Sequence, residues 1–471
     1  MKPSIFNVQV PLPERNEVFL MNTFSDAQLL VSPDVPALLE RVKGGDAAFT
    51  PEERETLSTL AENGFIVKSY EAEREGLREY FRRFREDTGQ MKVTVLTTLQ
   101  CNFACDYCFQ GDHGDHNLFA QKMTLEQAAE VVAWIEARLD AIRPSSFVLT
   151  LFGGEPLLNL PVAYYLAEHC HQACAARGIE QRITIITNGL LLTEEVVDRL
   201  IPYGLAGVKI TLDGDRDTHN RMRPLRGKQG TFDRIIENMR RVGPKIPLVV
   251  GGNFDETSAE SYPALLDFLR EQSFAENITK VNFKPIIKTT PSTPKGMIPL
   301  TVVGASGKPL SNPLNGTCMT SAGAGTTVGG ACDSCGFADQ TMTFLRAETR
   351  KRGFYTPDGV HMGPCELHST HAYTIGPDGA LYACSGFTGE PSQSTGHIDG
   401  RQDGWRAAAA ERFDALAPYK NCGDCHFIPV CAGGCSVASH TELGDMNTPS
   451  CHKASMEAAL VTLAHTAAAS C

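Results

Sequence analysis

Three closely spaced cysteines are the residues of this sequence best suited to chemistry. In LTTLQCNFACDYCFQGD, three residues separate Cys101 from Cys105, and two separate Cys105 from Cys108. Zinc sites commonly combine a Cys-x2-Cys pair with a distant second pair, which this spacing does not match. Three thiolates can instead hold three irons of a cubane cluster and leave the fourth iron open to another ligand. The spacing therefore favours an open iron-sulfur cluster over zinc.

A second set of cysteines lies near the carboxyl end of the chain. Its seven members are Cys365, Cys384, Cys422, Cys425, Cys431, Cys435 and Cys451. The amino-terminal segment MKPSIFNVQVPLPERNEV lacks the apolar region of a secretory signal peptide. We therefore expect a cytoplasmic protein, in which the 16 cysteines are better candidates for metal ligands than for a disulfide framework.

Composition excludes two classes of partner. The net charge is -12, whereas a nucleic-acid surface needs clustered lysine and arginine on a basic domain. No stretch approaches the roughly 20 apolar residues of a membrane span. We expect neither a nucleic-acid partner nor a membrane partner.

Strands alternate with helical patterns between residues 91 and 287. MKVTVLTTLQC, FVLTLFGG, RITIITNG, GVKITLDG, IPLVVGG and ITKVNFKPI are strand-like, and amphipathic segments separate them. This alternation predicts an α/β fold with a parallel sheet, in the form of a partial (β/α)6 barrel. Ligand sites of such folds lie at the carboxyl ends of the strands. The cysteine triplet and the GGEP, TNG and LDG loops all follow strands in this way.

The flanking segments differ from the barrel in composition. Residues 1–85 combine strand-like and helical patterns in a small α+β unit. Residues 288–362 are a Gly/Ser/Thr-rich loop and bridging region, and a loop of that length is functional or mobile. Residues 363–453 are rich in cysteine and are expected to form a small metal-stapled domain. Residues 454–471 are assigned to a carboxyl-terminal helix or tail.

The motifs resemble those of the radical S-adenosylmethionine (SAM) enzymes. CNFACDYC matches the CX3CXΦC signature of that family, with Tyr107 at the aromatic position, and GGEP follows the second strand. The segment that begins KITLDGD resembles the subgroup with a carboxyl-terminal SPASM domain. The seven cysteines match the SPASM pattern, so the resemblance covers residues 91–453.

The resemblance implies a SAM site at the carboxyl edge of the sheet. Cys101, Cys105 and Cys108 would hold a 4Fe-4S cluster whose free iron binds SAM. The backbone of Gly153 and Gly154, with Glu155, would contact the SAM amino group, and Tyr107 would lie near the adenine. The side chains expected at the ribose and the carboxylate are Asn188, Asp213 and Arg223. A surface ion pair is the alternative role for Arg223.

The resemblance also implies two auxiliary 4Fe-4S clusters. The first would be held by Cys365, Cys384 and Cys435. The second would be held by Cys422, Cys425, Cys431 and Cys451, although the Cys422/Cys425 pair alone also suits a zinc ribbon. The first cluster lacks an obvious fourth ligand. Cys335 or Cys332 is the preferred candidate, with Cys318 in the same loop, and an open iron that binds substrate is the alternative.

The resemblance implies a peptide maturase. A 5'-deoxyadenosyl radical would abstract hydrogen from a ribosomally made precursor peptide and install a thioether or carbon-carbon crosslink, with flavodoxin or ferredoxin as electron donor. Sulfatase-maturing relatives carry Asp after the cysteine that corresponds to Cys384, whereas this chain has Ser385, so formylglycine synthesis is disfavoured. No catalytic side chain is identified.

Residues 1–85 resemble winged-helix peptide-recognition domains, in which a leader peptide adds a strand to an exposed sheet edge. A cap over the barrel edge is the alternative role for this unit. Two other functions stay open: a radical SAM enzyme acting on a non-peptide metabolite, and a noncatalytic iron-sulfur electron-transfer protein.

Overall fold

The computed structural model describes residues 1–45, 48–110, 120–287, 333–361 and 363–470. The strands are β1 (Lys2–Pro3), β2 (Asn7–Leu12), β3 (Glu17–Asn22), β4 (Gln28–Val31), β5 (Ile66–Val67), β6 (Gln90–Thr98), β7 (Ser146–Gly153), β8 (Glu180–Thr187), β9 (Leu205–Thr211), β10 (Leu248–Phe254), β11 (Ile278–Pro285), β12 (Ala372–Ile375), β13 (Ala380–Tyr382) and β14 (Gly396–His397). The α-helices are α1 (Asp34–Gly44), α2 (Pro51–Glu62), α3 (Tyr70–Glu86), α4 (Leu125–Ile142), α5 (Leu160–Ala175), α6 (Glu194–Leu200), α7 (Arg216–Met222), α8 (Phe232–Val242), α9 (Tyr262–Arg270), α10 (Asp333–Lys351), α11 (Gly404–Asp414), α12 (Ile428–Cys431), α13 (Ser436–Ala438) and α14 (Lys453–Ser470).

A largely parallel sheet forms the centre of the molecule, which confirms the α/β prediction. Its strand order is β11-β10-β9-β8-β7-β6-β12-β13-β14, and β6 to β11 are all parallel. Alternate residues of each strand face the helices: in β7 these are Phe147, Leu149 and Leu151, which are fully buried. The intervening residues face the opposite side of the sheet, because strand side chains alternate in direction.

The carboxyl-terminal region extends this sheet rather than forming a detached unit. Strand β12 lies parallel to β6, with Ala372 opposite Lys92, and β13 and β14 follow in antiparallel order. The sequence does not predict this extension because strands of two to four residues carry too little periodicity. Helix α10 is also not predicted, since the Gly-rich segment that precedes it dominates the composition of residues 288–362.

The amino-terminal unit contains a three-stranded antiparallel sheet in the order β2-β3-β4, followed by α1 and α2. Helix α2 begins with a capping box, in which Thr50 and Glu53 each bond the other's backbone N–H. One face of the sheet packs on these helices through Leu20, Leu38 and Leu57. Helix α3 then leads from this unit into β6.

The other face of the amino-terminal sheet packs on the carboxyl-terminal region. Val10 and Phe19 share a buried cluster with Phe427 of the cysteine-rich loop and Leu460 of α14. The hydroxyl of Thr23 donates to the backbone carbonyl of His426. The two ends of the chain therefore share one apolar core.

Within the described part of the chain, no helix combines the length and apolar character needed to cross a bilayer.

Candidate functional site

The Cys101 loop begins at the carboxyl end of β6, where the end of β7 holds it in place. The N–H of Gly154 donates to the carbonyl of Thr98 at 2.9 Å, and the N–H of Glu155 donates to the carbonyl of Gln100 at 2.8 Å. A Cβ on Gly154 would lie 2.5 Å from the carbonyl oxygen of Leu99 and 2.6 Å from the carbonyl carbon of Gln100. A side chain cannot fit there, so glycine is what allows β7 to approach the cysteine loop so closely.

A second segment holds the same loop from the other side. The N–H of Ala104 donates to the carbonyl of Pro224 at 2.9 Å, and the N–H of Arg226 donates to the carbonyl of Asn102 at 3.1 Å. The Nε of Arg226 also donates to the carbonyl of Cys101 at 2.9 Å. The chain after α7 therefore fixes the backbone around the first thiol.

The three thiols differ in exposure: Cys101 and Cys105 are partly buried, and Cys108 is exposed. The backbone N–H of Phe103 points at the sulfur of Cys101, 3.4 Å away. Burial raises the pKa of Cys101 to about 12, and the charges of Glu155 and Cys105 raise it further, against the opposing effect of that N–H. Burial also raises the pKa of Cys105, and Cys108 adds to the shift. Metal ligands must be deprotonated, so a cation that binds these thiols would release their protons.

Glu155 is a fully buried carboxylate that organises the neighbouring TNG loop. It accepts hydrogen bonds from the N–H of Leu157 at 3.0 Å, the hydroxyl of Thr187 at 2.7 Å and the N–H of Asn188 at 2.8 Å. Burial raises its pKa, and the three donors oppose that shift. The side-chain amide of Asn188 in turn donates to the Asn102 side chain at 2.7 Å. The carboxylate therefore links the end of β8 to the cysteine loop.

Asp213, Tyr107 and Arg223 form a second polar network. The Tyr107 hydroxyl donates to Asp213, and Nη1 of Arg223 donates to the Tyr107 oxygen at 2.6 Å. The other oxygen of Asp213 accepts from the N–H of Asn253 at 2.7 Å. Burial raises the pKa of Tyr107, so its hydroxyl stays protonated. The alternative role for Arg223, a surface ion pair, does not match this position, because its side chain is only 12% exposed.

Arg223 keeps one buried donor for a ligand. Its Nε has no hydrogen-bond partner among the described residues, and buried donors are normally satisfied. A guanidinium is a planar donor suited to a carboxylate, which is the chemistry of the methionine end of SAM. The Arg223 charge also lowers the pKa values of Cys105 and Glu155, so these groups lie within electrostatic range of one another. The donor set therefore fits SAM beside a cysteine-held cluster.

Several supporting residues were not predicted. His219 lies fully buried behind Asp213, whose N–H donates to Nδ1 of His219 at 3.2 Å, and Nε2 contacts the hydroxyl of Thr231 at 3.0 Å. The amide of Asn159 donates to the carbonyls of Thr97 and Met123 at 2.8 and 2.9 Å. These are isolated polar residues in helical segments, and only their burial identifies them.

A cavity of about 440 Å³ opens beside the first thiol. Cys101, Asn102, Arg226 and Gln229 contribute to its wall. It is large enough to hold part of a small-molecule cofactor, since ligand pockets typically span about 300–1,000 Å³.

Cys365 and Cys435 lie within electrostatic range of Cys384 in the carboxyl-terminal region. Burial raises the pKa of Cys384 to about 11, and the other two thiols add to the shift. The N–H of Gly386 points at the Cys384 sulfur, 3.4 Å away. This geometry resembles that at Cys101, where a backbone N–H also faces the sulfur.

The other four cysteines of the carboxyl-terminal set form a separate group. Burial raises the pKa of Cys422 to about 12, and Cys431, Cys425 and Cys451 each raise it further. Cys422 and Cys425 pack against Phe6 and Phe81 of the amino-terminal unit and α3. These four thiols therefore lie within electrostatic range of one another, and their assignment to a second auxiliary cluster stays a prediction.

The three candidate fourth ligands of the first auxiliary cluster lie outside what the structure describes. Cys332 falls outside the described residues, as does Cys318, and the thiol of Cys335 is also beyond the described side chains. Among the described residues, no three His, Cys, Asp or Glu side chains are placed to share a single metal ion. A cubane cluster distributes its thiolates over different iron atoms, so its ligands need not meet at one point.

Residues 95–260 match the Radical SAM superfamily. This range contains the cysteine triplet, GGEP and the Asp213 network. This segment of the chain therefore carries a radical SAM domain. The match begins within β6, just before the loop that carries the three cysteines.

Curated relatives match the chain only in part. The Fe-coproporphyrin III synthase of Methanosarcina barkeri is 26% identical over 199 residues, which are 42% of this chain and 45% of the relative. The sporulation killing factor maturation protein SkfB of Bacillus subtilis is 24% identical over 171 residues, or 36% of this chain and 37% of the relative. The chain therefore spans less than half the length of these curated relatives.

A solved structure shares the radical SAM fold over most of this chain. Native anSMEcpe with bound AdoMet, another name for SAM, has a TM-score of 0.58 at 14% identity, over 80% of this chain and 99% of that chain. A second structure of anSMEcpe also contains the Cp18Cys peptide and has a TM-score of 0.57 at 13% identity. At this identity the likeness concerns the fold, and it extends beyond the radical SAM domain.

Proposed function

We propose that this radical SAM protein is a peptide maturase that installs a thioether or carbon-carbon crosslink in a ribosomally made precursor. The observation that carries the proposal is an open edge on the amino-terminal sheet: among the described residues, β4 pairs only with β3. Peptides can bind by adding a strand to such an edge. The peptide held by anSMEcpe, a protein of similar fold, is in keeping with this proposal.

In this proposal the radical SAM site has the following residues. A cluster held by Cys101, Cys105 and Cys108 would supply the electron that cleaves SAM to methionine and a 5'-deoxyadenosyl radical. The Nε of Arg223, which has no partner among the residues that the structure describes, would donate to the SAM carboxylate, and Asp213 and Tyr107 hold the guanidinium in place. The backbone at Gly153, Gly154 and Glu155 would face the SAM amino group, and the Asn188 side chain the ribose.

The two carboxyl-terminal cysteine sets would hold two auxiliary clusters. Three 4Fe-4S clusters correspond to about twelve irons per chain, and a flavodoxin or ferredoxin would supply the electrons. Cys335 or Cys332 is proposed as the fourth ligand of the first auxiliary cluster. This ligand proposal fails if replacing both by Ala leaves the spectrum of that cluster unchanged.

The backbone directions at β4 allow a specific test of peptide binding. The N–H of Asn22 donates to the carbonyl of Ala27 at 2.9 Å, so residues 22 and 27 form a hydrogen-bonded pair. Such pairs alternate along an antiparallel ladder, and Gln28 and Leu30 therefore direct their backbone N–H groups outward. Gln28→Pro removes one outward donor while leaving the β3–β4 ladder intact.

The test combines co-expression and binding. Each short open reading frame beside the gene is co-expressed anaerobically with the protein, and the peptide is analysed by intact and fragment mass spectrometry. The expected result is a loss of hydrogens in pairs that Cys101→Ala abolishes. Gln28→Pro should weaken binding of that peptide about tenfold, whereas Gln28→Ala, which keeps the N–H, should bind as wild type. Equal binding of the peptide by Gln28→Pro and Gln28→Ala would show that the peptide does not bind at the β4 edge.

A small-molecule substrate is the second candidate. The match to Fe-coproporphyrin III synthase favours it, since that relative is named for a porphyrin product. Under this alternative residues 1–85 are a structural cap, and blocking the β4 edge should leave turnover unchanged. If reconstituted protein modifies only free small molecules, the peptide proposal is abandoned.

A further inference from the structure

Three lysines lie on the face of the central sheet that points away from the helices. In β9, Val208 and Ile210 belong to the core, so Lys209 between them points to the opposite face. In β11, Val281 and Phe283 belong to the core, and Lys280 and Lys284 alternate with them. Both strands are parallel neighbours of β10. The concave face of the sheet is therefore cationic at this place.

Gly251 of β10 directs the Lys209 side chain towards the radical SAM site. A Cβ on Gly251 would lie 2.6 Å from Cε of Lys209 and 3.5 Å from its Nζ. Gly251 is paired with Thr211, whereas Lys209 is paired with Val249. The Lys209 side chain therefore reaches over β10 at Gly251. This point is two residues nearer the carboxyl edge of the sheet than Val249, which lies opposite the Cα of Lys209. That edge carries the cysteine loop and the Asp213 network.

These lysines have no acidic partner within the described residues. Two other basic residues point to this face of the sheet, and each forms an ion pair. Lys92 pairs with Glu366 at 2.7 Å, and Arg182 pairs with Glu180 at 2.8 Å. No ion pair is formed by Lys209, Lys280 or Lys284 in the part of the chain that the structure describes.

The sequence of the strands and of the following segment supplies no counter-charge either. Strands β6 to β11 contain one acidic residue, Glu180, at the first position of β8. Residues 288–332 contain three lysines and no Asp or Glu. Burial and the charges of Lys284 and Lys280 lower the pKa of Lys209 to about 8. A bound anion would stabilise the charged form of Lys209, because the neighbouring positive charges and the loss of hydration both disfavour a buried ammonium group.

We propose that Lys209 and Lys284 form a subsite for a carboxylate of the substrate, between the radical SAM site and the first carboxyl-terminal cysteine set. Lys284 lies within electrostatic range of Cys365, whose pKa it lowers against the larger effect of burial. A carboxylate held there would orient the substrate under the Asp213 network. The inference rests on the proposed peptide function, in which the carboxylate comes from an acidic side chain or from the peptide carboxyl terminus.

Protection of Lys209 from acetylation tests the subsite without any peptide turnover. The reconstituted holoprotein with SAM is labelled anaerobically, and mass spectrometry follows Lys209 and, as an internal control, Lys92. The probes are millimolar N-acetylglutamate amide, N-acetylalanine and neutral N-acetylglutamine amide. A carboxylate probe at twice its Kd should slow labelling of Lys209 about threefold, with no effect at Lys92 and none from the neutral probe. Stronger protection by N-acetylglutamate amide would indicate an acidic side chain as the source of the carboxylate, and stronger protection by N-acetylalanine would indicate the peptide carboxyl terminus. Lack of protection by both probes overturns the proposal.

Steady-state kinetics on a modified peptide provide the second test. Lys209→Met should raise the peptide KM about tenfold or more, Lys209→Arg should restore part of that loss, and Lys92→Met is the matched control with an unchanged KM. In the Lys209→Met variant, replacing the recognised carboxylate of the peptide by a neutral group should not raise the KM any further. Thermal midpoint and iron content verify that each variant is folded and loaded.

The outcomes separate this inference from the proposed function. Protection of Lys209 with no modified peptide would refute peptide maturation while keeping a carboxylate site. A modified peptide whose KM does not respond to Lys209→Met would refute the inference alone. Weakened binding of SAM by that variant would assign the lysine to the cofactor and also overturn the inference.

Discussion

Replacement of Gly154 by alanine should separate the end of β7 from the cysteine loop. The added Cβ would meet the backbone of Leu99 and Gln100 at 2.5 and 2.6 Å. Both contacts are with backbone atoms, so a rotamer change cannot relieve them. Gly154 has no left-handed φ, which makes the effect steric rather than conformational.

The magnitude follows from overlap and from lost hydrogen bonds. Overpacking in a tight site costs about 1–3 kcal/mol. Relief of the overlap would move β7 away from the loop and break the 2.9 and 2.8 Å bonds to Thr98 and Gln100, at about 1 kcal/mol each. We therefore expect the free energy of unfolding to fall by about 3–5 kcal/mol, which for cooperative unfolding of a chain of this length corresponds to a thermal midpoint lowered by roughly 3–5 °C.

The assay compares Gly154→Ala with Gly404→Ala, whose added Cβ would have no atom within 4 Å. Thermal midpoint and the yield of 5'-deoxyadenosine from SAM and dithionite are measured anaerobically on reconstituted protein. Gly154→Ala should lose both stability and product, whereas Gly404→Ala should match wild type, since a compatible Gly→Ala change is neutral or mildly stabilising. Equal midpoints and yields for the two variants would refute the contact argument.

Three further predictions concern the supporting residues. Asp213→Ala leaves the Arg223 cation buried without its carboxylate and should destabilise the protein by about 3 kcal/mol; an unchanged thermal midpoint would contradict this. Burial lowers the pKa of His219 well below its usual value. Below about pH 6.5 the unfolded chain therefore binds one proton more than the folded chain. The free energy of unfolding should fall by about 1.4 kcal/mol for each pH unit below that point. His219→Asn should flatten that part of the midpoint-against-pH curve, and an unaltered slope would exclude His219 as the cause. Asn159→Ala removes the donor to the Met123 carbonyl, whereas the Thr97 carbonyl still accepts from the N–H of Met123 at 3.0 Å. The change should cost about 1–2 kcal/mol, measured against the near-neutral Gly404→Ala.

The sequence predicted the parallel sheet because its strands, its helices and the lengths of its connections each carry a strong sequence pattern. Strands such as FVLTLFGG are apolar and β-branched, the intervening helices are amphipathic, and parallel strands require crossover connections of that length. The extension by β12 to β14 was not predicted, since its pairing with β6 joins residues 372 and 92, and no local pattern reports so distant a contact.

Cysteine spacing by itself favoured an open iron-sulfur cluster, because ligand type and separation are properties of the chain, and CNFACDYC with GGEP indicated the radical SAM enzymes by resemblance. Only the tertiary structure decided that Gly154 touches the Cys101 loop and that the Nε of Arg223 has no hydrogen-bond partner among the described residues. It also decided that Lys209 crosses Gly251 towards the same edge. These facts depend on which strands lie side by side and on what burial does to charge, and sequence spacing specifies neither.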